Sequence, residues 1–126
     1  MGHIYAKIRL SNPRESDLKP VEVNALVDTG AITLCLPEHI AFQLKLIEIE
    51  KREVTTADGR STVVSYVGPI RINFENRTCF TGGLILGDLV LMGCVPMEDM
   101  DLVLNPTRQT ITTNPDSPNI PHVLVK

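Results

Sequence analysis

Apolar Ile4, Ala6, Ile8 and Leu10 alternate with Tyr5, Lys7 and Arg9, and the same two-residue period returns in Val21, Val23, Ala25 and Val27. Only a strand with one buried face places every second side chain on the same side, so the pattern commits this part of the chain to sheet. The turn formers between Ser11 and Asp17 close the first strand and predict a hairpin with the second. Further β-rich runs follow at 52–57, 61–67, 70–74, 78–86, 89–92, 102–104 and 110–113. Asp58-Gly59 separates the first two of these, and that dipeptide predicts a protruding hairpin with a two-residue turn. Pro69 opens a separate strand in this reading. Helical spacing is confined to Ile40, Ala41 and Leu44 after Pro37-Glu38, and to the segment from Pro96 to Met100. The expected class is all-β with one or two short helices.

The 126 residues suffice for one core, and they predict a single domain over 1–126 with a Pro-rich extension at 114–126. A chain of this size buries roughly two-thirds of its unfolded surface, too little to wall a deep cleft of its own. A net charge of -3 with Lys and Arg spread singly gives no footprint for nucleic acid or an anionic membrane. The longest apolar stretch, 84–95, is broken by Gly87 and Asp88 and is shorter than the roughly 20 residues of a membrane helix. The Met1-Gly2 start has no basic-then-apolar leader, and Ala6 stands where acylation wants Ser or Thr. Cys35, Cys79 and Cys94 are odd in number and far apart, which predicts free thiols and a reducing, cytoplasmic setting. No Cys or His pair has zinc spacing, so no metal site is expected.

Asp28-Thr29-Gly30-Ala31 stands directly after the apolar run Ala25-Leu26-Val27. A carboxylate at a strand end, followed by a hydroxyl and a glycine, is held in place by the sheet. The same residues also serve as an ordinary strand-ending turn. Gly93 closes a second apolar run, Leu89 to Met92, and a short helical segment from 95 to 100 follows it.

In order and spacing, Asp28-Thr29-Gly30-Ala31, the hairpin tipped by Asp58-Gly59, and Leu91-Met92-Gly93 with its following helix resemble the retropepsin-like aspartic proteases from about Ile4 to Leu104. The stretch from Val21 to Leu46 is similar to bacterial members, and the start at Met1 agrees with a free-standing bacterial protein. The resemblance implies a closed, barrel-like β domain with a flap hairpin and an active site at a homodimer interface. It implies an aspartic endopeptidase acting on extended polypeptides, with one Asp28 from each subunit and no metal or organic cofactor. Two carboxyls about 3 Å apart cannot both ionise, so they share one proton. The ionised member then takes a proton from a water that attacks the scissile carbonyl. Thr29 would bond across the dyad, and Gly30 would let the backbone approach the substrate. Ala31 would floor the site, Gly93 would pack beneath the loop, and Asp58 and Gly59 would form the flap tip over the peptide.

Retroviral members carry acidic residues after this motif and an Arg after the downstream Gly, forming a brace; here Ile32, Thr33 and Cys94 stand at those places. The apolar Val123-Leu124-Val125 after three prolines would instead pair strands between subunits. Two other readings follow from the same residues. One is a catalytically silent module of this fold that binds a peptide or partner in the dimer groove. The other is an unrelated, monomeric β-barrel that binds a ligand.

Overall fold

The computed structural model describes residues 3–126; Met1 and Gly2, on which part of the leader and acylation reading falls, lie outside the described residues. In chain order the elements are β1 (Tyr5–Ser11), β2 (Val21–Val27), β3 (Leu34–Leu36), α1 (Glu38–Gln43), β4 (Ile47–Thr55) and β5 (Ser61–Phe74). They continue with β6 (Arg77–Ile85), β7 (Leu91–Met92), α2 (Cys94–Asp99), β8 (Leu102–Asn105) and β9 (Thr110–Thr113).

Six strands run β1-β2-β7-β3-β6-β5, and a β1–β5 pairing at Arg9↔Asn73 and Leu10↔Ile72 returns the last to the first. The ring is a closed barrel, which removes the exposed edges that an open sheet of this size would carry. β4 lies outside it, paired only to β5 as a long hairpin, and β8 and β9 form a separate two-stranded sheet. Inside, Ile8, Leu10, Leu34, Leu36, Ile70, Ile72 and Met92 are at most 1% exposed. Each such side chain contributes about 1.5–3 kcal/mol by leaving water. Gly83 permits this packing, since a Cβ there would stand 2.6 Å from Leu36 Cδ2.

Four expectations need correction. β5 does not begin anew at Pro69 but runs unbroken from Ser61 to Phe74, its pairing with β6 shifting between Val67 and Ile70. A proline fits because an irregular step in the ladder asks no amide of it. The Asp58-Gly59 turn is a longer loop, with Thr56 N bonded to Arg60 O at 2.9 Å and only Gly59 at positive φ (+86°). β7 is two residues long, and α2 starts at Cys94 rather than Val95 or Pro96.

Candidate active site

Asp28 follows β2, whose Leu26 and Val27 pair in parallel with Leu91 and Met92 of β7. On its other side β7 is antiparallel to β3, with Leu34 opposite Met92 and Cys35 opposite Leu91. β7 is thus threaded between the two strands that lead into and out of the loop 28–33. The pairing continues one residue beyond β2, because Asp28 N donates to Met92 O at 3.1 Å. The carboxylate is therefore mounted on a sheet rather than carried on a loose turn.

Within the loop, Gly30 N donates to Asp28 Oδ1 at 2.8 Å and Ala31 N to Asp28 O at 3.2 Å. The first bond aims the carboxylate and leaves its second oxygen free. Glycine suits position 30, where a Cβ would stand 3.1 Å from the same Oδ1. Asp28, Thr29 and Gly30 are all exposed.

The back of the loop is clasped by the segment after β7. Gly93 N donates to Thr33 O at 3.0 Å, Cys94 N to Ala31 O at 2.9 Å and Val95 N to Ile32 O at 2.9 Å. These amides open α2 and would otherwise lack helical partners, so the loop carbonyls cap the helix while the helix fixes the loop. A Cβ on Gly93 would lie 2.5 Å from Thr33 O and 2.6 Å from Ala31 O. Both are backbone atoms with no rotamer to give way. Gly93 thus sits behind the loop and touches no open surface of it.

Cys35 is 8% exposed; burial, and after it the negative charge of Asp28, push its thiol above the usual range. Thiol and carboxylate are near enough to sense each other. Neither this cysteine nor the clasping role of the Thr33 carbonyl stood out in the sequence, since a carbonyl acceptor has no side-chain signature and a lone Cys in an apolar run reads as core.

Asp58 and Gly59 are brought to the tip of the β4–β5 hairpin, apart in sequence from the loop and joined to it by no hydrogen bond among the described residues. There Asp58 Oδ1 accepts from Thr56 Oγ1 at 2.5 Å and Arg60 N at 3.1 Å, while Gly59 N donates to Thr56 O at 2.9 Å. The Thr56 hydroxyl, and then the Arg60 amide, hold the Asp58 carboxyl below its ordinary range. Midway along the hairpin, Arg52 stacks 3.6 Å over the Tyr66 ring and bonds Glu50 at 2.8 Å. Tyr66 in turn lies over Gly82, occupying the space of a side chain there.

Shallow grooves beside Arg14, Lys45 and Pro69, and beside Lys7, Glu22 and Asn73, are not lined by the Asp28 loop. In the single chain the loop is a surface feature, as the limited size of the domain requires. No three His, Cys, Asp or Glu side chains gather as a metal-binding group among the described residues.

The tail turns back onto its own chain. Asn76 Nδ2 donates to Pro118 O at 3.0 Å, Arg77 Nη2 to Ser117 O, and His122 N to Asp101 Oδ2 at 2.9 Å. Beyond that anchor Leu124 and Val125 are 89% and 91% exposed.

No protein-family model and no curated protein matches the chain. Among solved structures, it is similar to the protease of simian foamy virus (mac), determined in solution, with a TM-score of 0.50 and 20% sequence identity. The alignment covers 76% of this chain and 91% of the viral one. The closed six-stranded barrel with its two short helices is accordingly the retropepsin-like fold.

Proposed function

We propose that the chain is an aspartic endopeptidase that works as a homodimer, each copy contributing one Asp28. The observation that carries the reading is the mounting of that carboxylate: exposed, aimed by Gly30 N, and fixed from behind by β7 and α2. In this reading two such loops meet across a two-fold axis and a peptide lies in the groove between them. The dyad shares one proton. Its ionised carboxyl accepts a proton from the bound water, the water oxygen bonds to the scissile carbonyl carbon, and the protonated carboxyl donates to the developing oxyanion. Collapse of that intermediate breaks the C–N bond as the proton passes to the leaving amine. Thr29, exposed beside Asp28, braces one loop against the other, and Ala31 keeps the floor small. The hairpin tipped by Asp58 and Gly59 covers the peptide. The exposed end of the tail supplies intersubunit contact, and three free thiols support a reducing, cytoplasmic setting.

One observation favours the silent peptide-binding module instead. The amides of Gly59 and Arg60 are already spent within the hairpin tip, so a tip that held substrate carbonyls through them would first have to open.

Incubating a diverse peptide mixture with the wild type and with Asp28→Asn, at matched high protein concentration from mildly acidic to neutral pH, separates the readings by mass spectrometry. The expected result is new termini from the wild type alone, with Asp28→Asn slower by about a hundredfold or more. Silence from a wild type shown by mass to be dimeric would transfer the assignment to the binding module.

A further inference from the structure

We infer that a second copy of this chain covers Ile32 and Val95, and that this uncharged contact, rather than an ion pair, braces the two active-site loops; the inference rests on the dimeric reading above. Ile32 is 71% exposed and Val95 48% exposed, and Val95 N donates to Ile32 O at 2.9 Å. Scattered surface aliphatics are common in single proteins, so exposure alone decides nothing. Position does.

Ile32 follows Asp28 by four residues, and even a fully extended chain would keep their Cα atoms within about 14 Å. The Ala31–Asp28 bond folds that segment into a turn and shortens the distance. A partner whose own carboxyl reaches within about 3 Å of Asp28 brings its surface down around that point. A standard interface of about 800 Å² per copy, centred on the dyad, extends about 16 Å from its centre. Ile32 lies inside that radius, and Val95 is bound to it. A copy that completes the dyad therefore shields this pair from water.

The chemistry of the patch also fixes the kind of contact. Residues 28–33 and 93–97, which clasp each other, contain no Lys, Arg, Glu or second Asp. An exposed ion-pair brace is screened over about 10 Å at 0.1 M salt, whereas apolar burial is not. Dimerisation through this patch should change less than about twofold between about 0.05 and 0.5 M NaCl.

Sedimentation of the full-length chain over a wide concentration range, with Ile32→Glu, Ile32→Val and Asp28→Asn in parallel, tests this. Ile32→Glu should raise the dimer dissociation constant by about tenfold or more, since a buried carboxylate lacks a partner. Ile32→Val should stay within about threefold and Asp28→Asn should remain dimeric. All three should keep the wild-type circular dichroism, because Ile32 is exposed in the single chain. A dissociation constant unmoved by Ile32→Glu would overturn the inference, and a raised KM in that case would mean that Ile32 faces the peptide. A wild type that is still monomeric at about 1 mM would also overturn it. If the dimer responds as expected but no peptide is cut, the inference stands and the peptidase reading falls. If peptide is cut by a dimer indifferent to Ile32→Glu, the reverse holds.

Discussion

Gly93 donates its amide to the carbonyl of Thr33 at 3.0 Å, and that same oxygen would lie 2.5 Å from any Cβ placed on Gly93. The bond that clasps the loop and the reason for glycine are one contact. Gly93→Ala must therefore pull the clasp apart. The expected cost is about 3 kcal/mol, at the upper end for overpacking, because backbone atoms oppose the new methyl. Urea unfolding measures it, and a loss below about 0.5 kcal/mol would show that the loop moves freely away from α2.

At the hairpin tip, Asp58→Ala removes the acceptor for Thr56 Oγ1 and Arg60 N. Global stability should hardly change, since the tip is exposed, but the Arg60 amide should exchange its hydrogen faster. The pH dependence has a definite sign. The folded carboxyl sits below its ordinary 3.8, so its contribution is complete above that value and disappears as pH falls through the lower, folded one. Amide exchange at Arg60 followed from pH 6 downward should reveal a loosening confined to that acidic range. Loosening already at about pH 5 would contradict the cap.

Beneath the tail, the Arg77 side chain is 1% exposed and gives one hydrogen bond to Ser117 O, while Nε and Nη1 have none. A buried cation so poorly matched adds little to stability, and Arg77→Met should fall within about 1 kcal/mol of wild type. The tail should nevertheless detach more readily, which limited proteolysis after residue 113 would register. Asp101 anchors the same segment: the His122 amide, then the Asn114 side chain, holds its carboxyl below the usual range. That anchor too is present at neutral pH and is lost as acid protonates it. If Arg77→Met proves severely destabilising with the tail still protected, Arg77 serves the core rather than the tail.

The thiols form a graded series. Burial, with Asp99 adding to it, pushes Cys79 up to about 12, and Cys35 is raised by burial and then by Asp28, whereas Cys94 is only half-buried. A neutral alkylating reagent at about pH 8 should modify Cys94 first in the native protein and the other two far more slowly. Asp28→Asn removes the second cause at Cys35 and should speed its labelling. An unchanged Cys35 rate would place the thiol out of reach of the carboxylate.

Much of this was legible in the residues. The alternation of Ile4 through Leu10 matches β1 with Ala6, Ile8 and Leu10 buried, and the turn formers before Val21 predicted the antiparallel pair with β2. The placing of Asp28 at a strand end was legible too, because an apolar run and a following Gly are local signals. What local signals cannot carry is partnership. Nothing near Leu91-Met92 says that two residues will pair with Leu26-Val27 on one side and Cys35-Leu34 on the other. Pro69 misled for a related reason: it breaks a ladder unless the ladder is already irregular, and that irregularity depends on β6. Val123-Leu124-Val125 has strand composition without a neighbour in its own chain.

The insertion of β7 between β2 and β3 sets the order in which the molecule can acquire a working surface. Asp28 is made early in synthesis, yet its amide has no acceptor until Met92 arrives, and the loop carbonyls have no donors until residues 93–95 follow. Every strand from β3 to β6 must be made between those events. Such distant pairings close slowly. A nascent chain therefore emerges with its Asp28 loop not yet seated on the sheet, and a truncated product ending before residue 93 would carry the whole Asp-Thr-Gly motif without the amides of residues 93–95 that clasp the loop from behind.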